Sequence, residues 1–345
     1  MRIIIDAMGG DNAPGEIVLG AVQAAKEQGC EVVLVGRGAE ILQALRTKGI
    51  ENLPKGVEIA NAEDVVDMHD DPATVVKKRR DSSMVVGLRM LSEGGGDAFI
   101  SAGSTGALLT ASTLIVKRIH GVRRAAIAPV FPTTRGHCLL IDCGANAECT
   151  PEFLLQFACM GSLYAQRVMG IENPRVALLN IGTEESKGTD LQRGAYELLH
   201  SISQSGKINF IGNIEARDVM LDGADVIVAD GFSGNILLKG IEGAAKFMAG
   251  SLKEVFMKNA LTKFGALLCR KGIREMQQKM DYHEVGGTAF LGISRPIVKA
   301  HGSSDAMAIK NAVRQASLAA SSGFAAAIEE QSEWMNAPKE PEHAE

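Results

Sequence analysis

The feature that most constrains this chain is the regular alternation of two kinds of hydrophobic pattern. Short runs rich in Val, Ile and Leu occur at 2–5, 31–35, 98–100, 139–141, 176–179 and 226–228. Most are followed by stretches with helical periodicity, among them 16–28, 108–119, 152–169 and 191–203. Strand, helix, strand in repetition requires right-handed crossovers and a mostly parallel sheet with helices on both faces. The expected fold is therefore α/β, a Rossmann-like α/β/α sandwich. From Asn235 to about Met280 the alternation stops and the pattern is helical throughout, interrupted by Gly250, Gly265 and Gly272. This predicts two or three helices projecting from the sheet. With 345 residues and no internal repeat or low-complexity linker, the chain reads as a single α/β domain over 1–334, its projecting helices at 235–282. The residues at 335–345, with Pro338, Pro341 and several charges, read as a flexible tail.

Composition narrows the function classes. Only 4% of residues are aromatic while 38 are Gly, a mix that suits an α/β enzyme better than an antiparallel sandwich. A formal charge of -5 leaves no global basic excess to neutralise nucleic-acid phosphates. The first residues run straight into an apolar strand without the pattern of a secretory signal, and Lys117 and Arg118 interrupt the best candidate for a membrane span. The six cysteines form no CxxC pair and have no metal-type spacing with His, so they read as free thiols, and no metal site is expected.

Polar, Gly-rich turns follow five of the apolar runs: DAMGGD at 6–11, SAGSTG at 101–106, DCGAN at 142–146, NIGTE at 180–184 and DGFSGN at 230–235. Open parallel sheets place their ligand crevice at the carboxyl ends of strands, so five such turns on one edge indicate an active site. Ser104 and Thr105 precede one helical stretch, and Ser233, Gly234 and Asn235 open another. Helix N-termini of this kind bind anions, phosphate above all, and the flanking glycines let a ligand approach the backbone. Ordinary capping by Ser, Thr and Asn is the competing reading. The anion site expected from these turns comprises Gly9, Gly10, Ser104, Thr105, Gly106, Asn146, Gly182, Thr183, Ser233 and Gly234. Two nucleotide motifs fail. The stretch GTEESKGT at 182–189 lacks the Gly before Lys that a P-loop needs, and Gly36-Arg37-Gly38 lacks the third Gly of a dinucleotide fingerprint. No ATP, NAD or other cofactor is expected.

These turns, together with NIGTEESKG at 180–188, GGTAFLG at 286–292 and KAHGSSDA at 299–306, resemble in sequence and order the bacterial phosphate acyltransferase family. The family usually has Asn where this chain has Ser104, though a hydroxyl can still cap or donate. The resemblance implies a fold like isopropylmalate dehydrogenase, a homodimer, and conversion of a fatty acyl carrier-protein thioester and inorganic phosphate into acyl phosphate for phospholipid synthesis. It further implies a cytoplasmic enzyme peripherally attached to the inner face of the cell membrane, with a membrane-bound glycerol-phosphate acyltransferase downstream. A phosphotransacetylase-like enzyme using coenzyme A, or a non-catalytic membrane-surface scaffold, are the alternatives.

Acyl transfer to phosphate needs the phosphate held, the developing oxyanion stabilised and the thiolate released. No activated enzyme nucleophile is required, and no Ser or Cys stands in a recognisable triad or elbow. Lys187, set in NIGTEESKG, is the expected cation, and Asn235 a donor that adds no negative charge. His301 is either a general acid or a hydrogen-bonded structural histidine. The acids Asp6, Asp11, Asp142 and Asp230 read as turn formers and orienters, with Mg²⁺ ligation less favoured.

The stretch 251–280 carries seven basic and two acidic residues, a net charge of +5. Met257, Leu261, Phe264 and Leu268 recur as an apolar stripe, and Lys258, Lys263, Arg270, Lys271 and Arg274 are among the cations. Packing on a dimer partner, docking of an acidic carrier protein and rest on an anionic lipid surface are the three readings of this segment.

Overall fold

The computed structural model describes residues 1–273, 286–333 and 335. Arg274, the end of the expected helical segment and the expected tail apart from Met335 lie outside the described residues.

The strands are β1 (Arg2–Asp6), β2 (Glu31–Gly36), β3 (Val57–Asn61), β4 (Ala98–Ser101), β5 (Ala126–Ala128), β6 (Val130–Pro132), β7 (His137–Ile141), β8 (Arg175–Asn180), β9 (Asn209–Glu215), β10 (Val226–Val228), β11 (Thr288–Leu291) and β12 (Ile297–Lys299). The helices are α1 (Gly15–Gln28), α2 (Gly38–Thr47), α3 (Val75–Lys78), α4 (Ser83–Ser92), α5 (Thr105–Ile115), α6 (Pro151–Arg167), α7 (Asp190–Gln204), α8 (Gly231–Met257), α9 (Ala260–Leu268), α10 (Ala306–Ser321) and α11 (Phe324–Gln331). All six apolar runs form strands, and the four helical patterns form α1, α5, α6 and α7.

Among the described residues the single expected sheet is two. One has seven strands in the order β3-β2-β1-β4-β12-β11-β5, the other five in the order β6-β7-β10-β8-β9. Pairing is parallel except where β11 meets β12 and β5, and where β6 meets β7. The split falls between β5 and β6, where Pro129 separates two three-residue strands that enter different sheets. Strands this short carry too little pattern to reveal a change of sheet.

Alternation along the strands builds three packed layers of side chains. Ile3 and Ile5 of β1 join Val32 and Leu34 against α1 and α10, while Ile4 and Val33 point to the opposite side with Met84, Leu88 and Leu108. In the second sheet Leu139, Ile141, Val176 and Val226 face α6, α7 and α11. Their neighbours Cys138, Leu140, Ala177 and Ile227 enter the same cluster as Ile4 and Val33. One core therefore lies between the two sheets and joins them. The Rossmann-like α/β architecture stands.

The projecting segment is one 27-residue helix, α8, followed by α9. The break falls at Lys258 and Asn259 rather than at a glycine: Asn259 caps α9, its side chain accepting the Thr262 N–H at 2.9 Å. A capping box stops a helix register more firmly than one glycine weakens it. Beyond Glu242 the helix leaves the body, and Phe247, Met248, Val255, Leu261, Phe264 and Leu268 are exposed. Among the described residues no helix is long and apolar enough to cross a membrane.

Candidate active site

The carboxyl ends of both sheets meet in one cleft of about 400 Å³. The seven-stranded sheet contributes Thr105 after β4 and Lys299, Ala300, His301 and Ser304 at the end of β12. The five-stranded sheet contributes Cys143 and Gly144 after β7 and, after β10, Asn235, Leu238 and Ile241 from α8.

Buried carboxylates build the turns that hold these residues. Asp6 accepts the Ser101 hydroxyl at 2.6 Å and the Met8 N–H at 3.2 Å, and Ser101 in turn accepts the Gly103 N–H at 3.0 Å, so the turns after β1 and β4 are locked together. Gly10 lies between them at φ 107°, where a Cβ would stand 2.9 Å from that of Ala102. Asp142 accepts four backbone N–H groups, from Ile127, Cys143, Ala145 and Asn146, and the Asn146 amide as well. Burial nonetheless raises the pKa of both Asp6 and Asp142, against which these hydrogen bonds act. Their roles as turn builders follow directly from these contacts.

The sequence reading missed Lys299. Its ammonium donates to the carbonyls of Ala102 and Ala300. Burial lowers its pKa to about 8, and the carboxylates of Asp11 and Asp6 act in the opposite sense. An arriving anion would offset the desolvation of this cation and raise its pKa again. β12 is a three-residue strand after an antiparallel partner, so nothing short of the topology shows that Lys299 stands at a carboxyl edge beside β4. The local signal was its place at the head of KAHGSSDA.

Two residues on, His301 Nδ1 accepts the Ser303 N–H at 3.2 Å and lies 2.8 Å from the Ser303 hydroxyl. A backbone N–H can only donate, so in the neutral ring the proton sits on Nε2, which is then a donor. At α5, Ser104 is buried and caps the Ala107 N–H at 3.5 Å, which leaves the Thr105 and Gly106 amides without a hydrogen bond among the described residues. These are the groups an anion engages at a helix N-terminus.

The α8 N-terminus differs. Gly231 N–H donates to Asn146 O, Ser233 N–H to the Asp230 carboxylate and Gly234 N–H to Asp230 O. Gly234 is needed because a Cβ there would lie 1.9 Å from Asp142 O. Capping and close packing account for Ser233 and Gly234, and neither lines the cleft. The Asn146 side chain is likewise spent, on Asp142 of its own turn and on Ala125 O just before β5. Gly9 packs against Asp6 and Gly103. Gly182, Thr183 and Lys187 lie in the loop between β8 and α7 and do not line the cleft. The Lys187 side chain is 48% exposed and 3.9 Å from Glu184. Of the expected site residues, the cleft brings together Thr105, Asn235 and His301.

Cys143 and Cys149 are poor nucleophiles. Burial pushes Cys143 well above its usual range, and Cys149 up to about 11. Among the described residues no group of three or more His, Cys, Asp or Glu could hold a metal ion. What the cleft offers is a half-buried ammonium, the Thr105 amide at a helix N-terminus, side-chain donors from Asn235 and His301, the Lys239–Glu242 ion pair, and an apolar wall.

Such a cleft, at the carboxyl edges of two mostly parallel sheets, is where α/β enzymes bind their ligands. The family model described as "Fatty acid synthesis protein" matches residues 1–327. A phosphate acyltransferase of Heliobacterium modesticaldum is 47% identical over 330 residues, 96% of this chain and 97% of the relative. One of Alkaliphilus oremlandii is 47% identical over 317 residues, 92% of each chain. A phosphotransacetylase structure from Streptococcus pyogenes shares the fold, with a TM-score of 0.61, 19% identity and coverage of 95% of this chain and 94% of the other. The chain belongs to the phosphate acyltransferase family and is an acyltransferase.

Proposed function

We propose that the enzyme transfers a long-chain fatty acyl group from acyl carrier protein to inorganic phosphate, releasing acyl phosphate for phospholipid synthesis. Its phosphate acyltransferase relatives point to phosphate as one substrate, and the cleft supports it. The single observation that carries the reading is the half-buried ammonium of Lys299 in the same cleft as the open Thr105 amide at the start of α5.

Phosphate held by Lys299 and the Thr105 amide attacks the thioester carbon directly. One phosphate oxygen forms the new C–O bond, the C–S bond breaks, and the thiolate leaves with the electron pair. Asn235 and the His301 Nε2–H are the donors placed to steady the carbonyl oxygen as charge develops. One such donor is worth roughly 3–4 kcal/mol, and orientation of the phosphate roughly 7–11 kcal/mol. Lys187, on the exposed β8–α7 loop, fits a role in drawing anions toward the cleft better than contact within it.

The exposed basic and apolar residues Lys258, Leu261, Lys263, Phe264, Leu268, Arg270 and Lys271 form the surface for the acidic carrier protein or an anionic membrane, beside a dimer partner. Replacing Lys258, Lys263 and Arg270 by Gln should raise the KM for carrier protein or release the enzyme from anionic vesicles. No change in either assay would return the segment to a structural role.

The test of the reaction is release of free thiol from acyl carrier protein and from the coenzyme A thioester, each with and without phosphate. Phosphate-dependent release from carrier protein is expected, with losses on the order of a hundredfold in Lys299→Ala and Asn235→Ala. Release that ignores phosphate, or full activity in both variants, would overturn the assignment. Faster release from coenzyme A would move the donor to the second thioester.

A further inference from the structure

The cleft is chemically divided, and its apolar part is larger than an inorganic anion needs. Ile127 and Phe131 form a buried floor, and Met220, Leu238 and Ile241 pack against the same core while remaining only partly covered. About 400 Å³ falls within the range of sites that enclose a drug-sized organic molecule. The apolar surface does not stop at the cleft. Leu238, Ile241, Ala245, Met248 and Leu252 recur at helical spacing and lie on one face of α8. Leu238 and Ile241 line the cleft, whereas Met248 is 64% exposed on the part of the helix that leaves the body.

We propose that this face of α8 is the acyl-chain track of the enzyme. The first carbons of the chain lie against Met220, Leu238 and Ile241, and the rest follows the helix outward past Ala245 to Met248 and Leu252. The idea rests on the acyl-transfer reading above and adds to it the residues that set chain length. From Ile241 to Met248 the helix rises roughly 10 Å, so only a long chain reaches the outer part of the track.

The track predicts effects graded by position. Each methylene it buries is worth roughly fourfold in kcat/KM. Thiol release is measured with phosphate and a ladder of saturated acyl thioesters on the donor preferred by the unaltered enzyme. Ile241→Trp should lower the long-to-short ratio of kcat/KM at least tenfold, with the loss setting in at medium length. Met248→Glu should leave medium chains alone and penalise only long ones. Should Ile241→Trp fail to fold, Ile241→Ala provides the second variant, with a smaller loss on the same medium and long chains. Equal losses at every length, or unchanged ratios in all variants with phosphate-dependent release intact, would refute the track and leave the acyl-transfer reading standing. Absence of phosphate-dependent release from the unaltered enzyme at any length would remove that reading, and the track with it.

Discussion

Lys299 gives the sharpest quantitative test of the phosphate site. Its partial burial beside β4 lowers its pKa to about 8, below that of a free lysine, so the ammonium prevails at pH 7 and the neutral amine at pH 9. If phosphate binds only to the ammonium, affinity follows the protonated fraction of the free enzyme. With a pKa of about 8 that fraction falls roughly tenfold between pH 7 and pH 9, so the KM for phosphate should rise about tenfold over the same interval. Inorganic phosphate gains dianion as pH rises, so its own titration opposes the effect and does not imitate it. Lys299→Arg keeps a charge that does not titrate in this range, and its KM for phosphate should be flat from pH 7 to pH 9 even if its absolute value is worse. The sign for stability is opposite to that for binding. The group's folded pKa is depressed, so the unfolded chain binds its proton more tightly. The resulting cost is fully present below about pH 8 and disappears as pH rises toward the free-lysine value. Initial rates of thiol release against phosphate concentration, at pH 7, 8 and 9 in both proteins, settle the point. A flat wild-type KM, or the same rise in Lys299→Arg, would falsify the assignment of Lys299 to phosphate.

Asp142→Asn replaces acceptor oxygens by an NH₂ group that faces N–H donors, which should cost roughly 1–3 kcal/mol in urea unfolding and disorder the turn beside Asn235. Wild-type stability with wild-type activity would show the network to be dispensable. Gly234→Ala forces a methyl into Asp142 O and should lower stability by about 3 kcal/mol, at the upper end of overpacking. An unchanged denaturation midpoint would mean that α8 docks on β7 less closely than described. Leu140→Ala opens a cavity in the core shared by both sheets, with an expected loss of roughly 2–5 kcal/mol and a single cooperative transition. Two separate transitions would show that the sheets unfold independently.

Much of this architecture was legible in the sequence because the long strands are buried on both faces and therefore continuously apolar, as at Ile3 to Ile5. The turns after β1, β4, β7, β8 and β10 were equally visible, since Gly, Asp and Asn cluster there. What was not legible belongs to long-range arrangement. Three-residue strands such as β5, β6 and β12 have no period, so neither the second sheet nor the position of Lys299 could be read from pattern. Five polar turns looked equivalent along the chain, yet the turns after β1 and β8 do not line the cleft while the end of β12 does. Ser233 and Gly234 illustrate a second limit. A Gly-rich helix start has the same composition whether its amides await an anion or are already satisfied by Asp230 and Asn146, and only the hydrogen bonds distinguish the cases.

A single core cluster draws on both sheets, with Ile4 and Val33 from one and Leu140 and Ile227 from the other. An interior of that density yields very little to compression. The spacing between the ammonium on one rim and the amide on the other is thus held from beneath, as the legs of a caliper are held by its pivot. A change of one side chain far below the surface would alter the fit of a reactant that it never touches.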